Sequence, residues 1–287
     1  MQPQQIQPNF AALNLTKKEM AQDKITLQLG DVETTALIPV AIKAHETLRK
    51  NPRIKDEVAV GIVRHLDIDT KKFDKFMSHE GVIARTIMLD KMVKDFIIKN
   101  PESVIVNIAA GLDNRFSRVD NGKIQWIDLD LPDMIEARKK VFDDRPRVKM
   151  VAASALDEAW VKEVKTADTE NSKFLFLAEG LFMYLTIDEI RTLLTILKTN
   201  FPGSTLIAEQ NNKLMVKHQK HHDTVSETNA VFKSGSDSGE EIAALVDGVR
   251  LVEEHSFNEE MKKHSLRGKL FAALLPKMND RWAVFEW

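Results

Sequence analysis

The sequence predicts a doubly wound, Rossmann-like α/β sheet preceded by helices, and three observations predict it. After Pro101, short apolar runs rich in β-branched residues alternate with amphipathic stretches, the pattern of strand followed by crossover helix. Runs such as "SVIVNIA" (103–109) are apolar almost throughout, as suits a central parallel strand covered on both faces. Before Pro101 no useful length alternates with period two, and the apolar positions recur at three- and four-residue spacing.

Taken in order, residues 1–13 read as a flexible Gln/Pro arm and 14–100 as a helical lid segment, including "ETTALIPVAIKAHETLRK" and "GVIARTIMLDKMVKDFIIKN". Residues 101–287 form the core. Strands are expected at "SVIVNIA", "KIQWID" (123–128), "RVKMVAA" (147–153), "KFLFLAEG" (173–180) and "STLIAEQ" (204–210). Between them, "LPDMIEARKKVF" starts a helix with Pro132 in its first turn, and Thr186 with Glu189 has capping-box spacing. Residues 211–248 read as a polar helical insertion with a flexible turn at "KSGSDSGEE". "VRLVEEHSF" (249–257), a helix at 266–278 and "RWAVFEW" then place an antiparallel pair at the sheet edge.

Forty-one Lys and Arg against 43 Asp and Glu leave a formal charge of -2. That balance supplies no field for nucleic acid or an anionic membrane, so a small-molecule partner is expected. The chain has no cysteine, which removes disulfides, thiolate nucleophiles and Cys-bound zinc and fits a reducing, cytoplasmic setting. No apolar run is long enough to span a bilayer. Oligomeric state is not legible.

In a doubly wound sheet the ligand sits outside the carboxyl ends of the strands, so the turn after the first strand is the place to look. A dinucleotide fingerprint would put glycines at 109, 111 and 114, and only Gly111 fits, with Ala109 and Asn114 at the other places. Asp113 would also repel a diphosphate. A cationic, phosphate-free nucleoside such as S-adenosylmethionine reverses that argument: Asp113 would face its positive end and Asp130 would accept its ribose hydroxyls. The competing reading is that Asp113 caps the first helix and Asp128 and Asp130 cap the helix at Pro132.

"VIVNIAAGLDNRFSR", "WIDLDLPDMIEARKKVF" and "FLFLAEGLFMYLTIDEI", with "ARTIMLD" upstream, resemble in order and spacing the blocks of the leucine carboxyl methyltransferase family. The bacterial tetracenomycin-type polyketide O-methyltransferases are the nearer branch. The resemblance runs from about residue 30 onward. It implies a class I methyltransferase fold, a seven-stranded mostly parallel sheet with an antiparallel edge strand under a helical lid, and S-adenosylmethionine as cofactor. It implies Arg85 at the cofactor carboxylate, where a guanidinium fork also fits chemically; the competing reading is an ion pair with Asp90 or Glu80. It further implies Ala109, Gly111 and Asp113 along the methionine moiety, Asp130 on the ribose, Ser154, Ala155 and Leu156 at the adenine, and Glu179 on the methionine side. Ala109 departs from the glycine usual in the family.

A carboxylate acceptor needs no general base, whereas a hydroxyl benefits from one. Tyr184, the only tyrosine, follows the fourth strand and is the candidate catalytic group, with packing as the alternative; His218, His221 and His222 are further orienting candidates. No metal site is expected. The function expected is O-methylation of a small-molecule carboxylate or hydroxyl. A cofactor-binding pseudo-methyltransferase scaffold and an NAD-dependent oxidoreductase are the rivals.

Overall fold

The computed structural model describes residues 27, 30, 33–66, 70–167, 172–219, 230–264, 266–274 and 279–287. The N-terminal arm at 1–13, His221 and His222 lie outside the described residues. Strands β1 (Val104–Ile108), β2 (Gln125–Asp130), β3 (Val148–Ala152), β4 (Phe174–Ala178), β5 (Thr205–Gln210), β6 (Arg250–Ser256) and β7 (Arg281–Glu286) form a single sheet in the order β3-β2-β1-β4-β5-β7-β6. β1 to β5 pair in parallel, and β7 runs antiparallel to both β5 and β6. The antiparallel strand is thus one place in from the edge, which β6 forms. This is the class I methyltransferase arrangement, and strand order reverses between β1 and β4, the switch point where a crevice opens.

Period-two alternation within continuous apolar runs explains the two-sided core. Val104, Val106 and Ile108 of β1, with Phe174 and Phe176 of β4, join one cluster with α6 (Trp160–Lys165) and α7 (Ile187–Asn200). Ile105, Leu175 and Leu177 point to the other face, against α3 (Phe76–Lys99) and Phe257. Helix α7 begins with the expected capping box: Glu189 N–H donates to Thr186 Oγ1 at 3.2 Å and Thr186 N–H to Glu189 Oε2 at 2.7 Å. A third cluster holds α1 (Leu37–Thr47) and α2 (Glu57–His65) against Met134 and Ala137 of α5 (Pro132–Val141), which brings the helices preceding the sheet over its carboxyl end. No described helix is long and apolar enough to cross a membrane.

Two expectations need correction. The element after β1, α4, is a single turn, Phe116–Val119, so there is no long first helix for Asp113 to cap or for a phosphate to sit on. The described residues within 211–248 do not form a solvated helical insertion. Their helices, α8 (Lys213–Lys217) and α9 (Gly239–Ala243), are short, and Phe232, Ser234 and Ser236 between them are buried. That segment is tied to the 3₁₀ turn Phe182–Tyr184: Lys233 N–H donates to Met183 O at 2.7 Å and Ser234 Oγ to Phe182 O at 3.0 Å. Of the serines that suggested a loop, Ser234 instead satisfies a backbone carbonyl of that turn and Ser236 Oγ donates to Gln210 Oε1 at 2.6 Å. After β6, α10 (Asn258–His264) and α11 (Leu266–Leu274) lead into β7.

Candidate active site

Arg85, Ala109, Gly111, Asp113, Asp130, Ser154, Ala155, Leu156, Glu179 and Tyr184 all line one cavity of about 710 Å³ over the switch point. Its floor is the turn after β1, where Ala109 and Gly111 take left-handed backbone angles, φ 53° and 51°. A Cβ at Gly111 would stand 3.1 Å from Ala36 Cβ, so a side chain there would be both strained in torsion and crowded. Ala109 pays the left-handed penalty, about 1–2 kcal/mol for a residue with a Cβ. Ala109→Gly is therefore expected to hold or raise the melting temperature and to tighten cofactor binding. Scanning calorimetry and titration check this, and a loss in both would remove the strain argument.

Asp130 closes the turn: Gly111 N–H donates to its Oδ2 at 2.7 Å and Leu131 N–H to its Oδ1 at 2.8 Å. It does not cap α5, whose N-cap, Leu131, makes no side-chain cap bond. Nor does Asp128, which is buried under the sheet end with Arg138, Trp126 Nε1 at 2.9 Å and Asn107 Nδ2 at 3.3 Å. Asp128 is a structural carboxylate. Ser154 Oγ accepts Leu156 N–H at 3.2 Å, shaping the wall beyond β3.

The charges form one buried network. Arg118 pairs with Asp56 at 2.7 Å and with Asp90 at 2.6 Å, and Arg115 with Asp90 at 2.7 Å, Asp113 at 3.0 Å and Glu179 at 2.7 Å. Arg85 pairs with Glu179 at 2.9 Å and Glu209 at 3.1 Å, and Lys43 with Asp113 at 2.8 Å. The pairing of Arg85 with Asp90 or Glu80 is thus not found. Asp90 holds Arg115 and Arg118, while Glu80 holds Arg53 at 2.9 Å. Asp113 does not offer a bare carboxylate to a cation. Burial alone would raise its pKa, but Arg115, Lys43 and Arg118 more than reverse that and hold it well below the usual range.

Glu179 resembles it in charge but not in hydrogen bonding. Burial opposes its ionisation, yet Arg115 and Arg85 keep its pKa lowered, while its buried Oε2 receives no aligned hydrogen bond. Glu209, accepting Gly180 N–H at 2.7 Å, is raised by burial against Arg85. Asp280 is pushed up to about 8 by burial and by the Glu209 charge. Tyr184 hydrogen-bonds to Thr35, packs on Phe232 at 5.6 Å between ring centroids, and is raised by burial. Burial thus favours its protonated phenol, a form able to donate a hydrogen bond. His218 stands at the mouth, at the C-cap of α8.

Sequence reasoning missed Lys43, Arg115, Glu209 and Asp280. One signal for Glu209 was present: "LAEG" and "IAEQ" end adjacent strands alike, and Ala178 and Ala208 pair in register.

Residues 36–198 match the model of the family described as leucine carboxyl methyltransferase. The chain belongs to the leucine carboxyl methyltransferase family. Tetracenomycin polyketide synthesis O-methyltransferase TcmP of Streptomyces glaucescens is 26% identical over 233 residues, covering 80% of this chain and 85% of that one. The S-adenosyl-L-methionine-dependent methyltransferase dpfgK of Gibberella zeae is 27% identical over 203 residues, 65% and 67% of the two chains. A solved structure of a Thermobifida fusca YX protein proposed to be a methyltransferase superposes with a TM-score of 0.55 at 13% identity, covering 88% and 93%, and shares the fold. S-adenosylmethionine is the cofactor of this leucine carboxyl methyltransferase family member. The cavity fits it: the acids Asp113, Asp130, Glu179 and Glu209 on its wall outnumber the cations Lys43 and Arg85, an anionic excess suited to a ligand with net positive charge. Glu179, held by Arg85 and Arg115, keeps a carboxylate on the cavity wall whose remaining lone pairs an ammonium can share.

Proposed function

We propose that this methyltransferase is an O-methyltransferase acting on a carboxylate or hydroxyl of a small, largely apolar, polyketide-like molecule. The observation that carries the reading is the division of the cavity: charged and turn residues occupy the strand ends, while Met77, Met183, Met215, Met261, Phe232 and Phe257 line the rest. Thioether and aromatic side chains adapt to flat apolar ligands. When bound, S-adenosylmethionine supplies an electrophilic methyl group on a sulfonium.

The chain's own residues would do the rest. Glu179 holds the ammonium, and Arg85, with Lys43 on the same cavity, supplies positive charge to the carboxylate. Asp130 holds the ribose, and Ser154, Ala155 and Leu156 border the adenine. Ala109 and Gly111 bring backbone close to the methionine moiety, and Asp113 fixes the cations around it. Tyr184 donates a hydrogen bond that orients the acceptor. The helices before β1 act as a lid that excludes water, and proximity then supplies much of the rate.

The reading is tested by titrating the full chain with S-adenosylmethionine, S-adenosylhomocysteine and NAD, then assaying radiolabelled methyl transfer to a panel of aromatic acids and phenols. Binding of the adenosyl ligands with turnover of an oxygen acceptor is expected. Turnover only of amines would overturn the O-methyl assignment, and binding with no turnover would favour a scaffold. NAD should not bind, because acids line the cavity where a diphosphate needs bare N–H groups and positive potential.

A further inference from the structure

We infer that the hairpin of α10 and α11 is a docking surface for an anionic lipid bilayer, and that it sets the Met-lined side of the cavity against that surface. The docking itself does not depend on the acceptor chemistry proposed above.

The hairpin is built onto the cavity wall. It leaves the wall after Phe257, which lines the cavity together with Met261 of α10, and returns at Asn279, which lines it too. Asn279 Nδ2 donates to Asn258 Oδ1 at 2.9 Å, so the two ends are clamped together, and α11 packs against α10. What the clamp holds out is an inverted helix. Leu266, Leu270 and Leu274 recur at four-residue spacing and so share one face of α11, yet they are 83%, 59% and 69% exposed, while Gly268 on the opposite side is buried. A contiguous exposed apolar stripe marks a contact surface.

The charge of this segment chooses the partner. From Met261 to Met278 the sequence carries Lys262, Lys263, Arg267, Lys269 and Lys277 and no acid, although the whole chain has a formal charge of -2. Lys263 is occupied by Glu260, but Lys262 and Lys269 are exposed and, among the described residues, pair with no carboxylate. Leucines with lysines beside them suit the boundary of an anionic bilayer, where apolar side chains enter the acyl region and ammonium groups stay among the headgroups. A second copy of the chain suits the patch badly. In a two-fold contact the same surface meets itself, so cations would face cations. The helix is also about 14 Å long, too short to supply the roughly 800 Å² per partner of a stable interface. Docking through α11 brings the Met261 side of the cavity to the lipid, so an apolar acceptor enters without crossing water.

The test is co-sedimentation of the full chain with two vesicle preparations, phosphatidylcholine alone and phosphatidylcholine with an equal part of phosphatidylglycerol. Partition onto the anionic vesicles is expected to be about tenfold or more stronger than onto the neutral ones. It should weaken as added salt shortens the screening length from about 30 to about 8 Å. The combined variant L266S/L270S/L274S and, separately, K262E/K269E should each lose about tenfold or more of that partition. Melting temperature and S-adenosylhomocysteine affinity should stay unchanged, since these side chains already stand in solvent. No partition onto the anionic vesicles, equal partition onto both kinds, or partition that survives both sets of substitutions overturns the inference. So does a dimer in sedimentation equilibrium that the serine variant abolishes without any vesicle binding, which would give the face to a second copy. Vesicle binding without methyl turnover would uphold the docking and count only against the O-methyltransferase reading.

Discussion

Arg115→Met is expected to lower the melting temperature by on the order of 10 °C, the largest effect of any single substitution in the charge network behind the cavity. Arg115 has no exposed side-chain surface and meets Asp90, Asp113 and Glu179 at 2.7, 3.0 and 2.7 Å. Methionine fills much of its volume but leaves three carboxylates sharing fewer cations. Removing one partner from a buried pair costs about 3–5 kcal/mol, because the other charge stays behind. In a chain of this size each kcal/mol moves the midpoint by about 2–4 °C. Arg115→Lys should fall between, since one ammonium cannot fork to three carboxylates. A drop of under about 3 °C for Arg115→Met, measured by calorimetry at neutral pH, would mean the network is solvated and the anionic excess carries no weight.

The pH dependence has a definite sign. Burial works against ionisation of Asp90, Asp113 and Glu179, but the guanidinium and ammonium neighbours win and hold all three below their ordinary values. Groups with depressed folded-state values stabilise fully above their unfolded values, about 4, and lose that contribution as pH falls through the folded ones. The gap between the native chain and Arg115→Met should therefore be widest near neutrality and close in acid.

The centre of the sheet was legible because its strands are short apolar runs. "VIVNI" and "FLFLA" are buried at every position, and only a central parallel strand asks for that. The cavity residues on strand ends and turns were legible for the same reason: once a strand is placed, its last residue has an address. Lys43 and Arg115 had none. Lys43 sits within an apolar helix, and only tertiary packing of α1 onto the sheet end makes it a partner of Asp113, while Arg115 lies in a basic stretch that reads as surface although it bonds Asp113 two residues away. The segment containing Phe232 and Ser234 failed differently: small polar residues describe a loop equally well whether they meet water or the carbonyls of a neighbouring turn. Asp280 was hidden by its position just before an edge-region strand, where acids are ordinarily solvated.

Asp130→Ala is expected to weaken S-adenosylhomocysteine binding by about 1.5–3 kcal/mol, roughly 10- to 150-fold, if its carboxylate receives the ribose hydroxyls. The difficulty is that Asp130 also fixes the turn, through Gly111 N–H at 2.7 Å. Loss of that bond alone could loosen the floor on which the methionine moiety lies. A carboxylate offers about four acceptor sites, so it can hold backbone and ribose at once, and the two roles have to be separated by the ligand rather than by the protein. The 2′-deoxy analogue of S-adenosylhomocysteine does this as the second arm of a double-mutant cycle. If Asp130 binds the ribose, the analogue is already weak on the native chain and loses little more on Asp130→Ala. If Asp130 only positions Gly111, both ligands lose affinity equally and the melting temperature falls with them. Equal losses would remove the ribose contact and leave Asp130 as the residue that holds the turn in its left-handed shape.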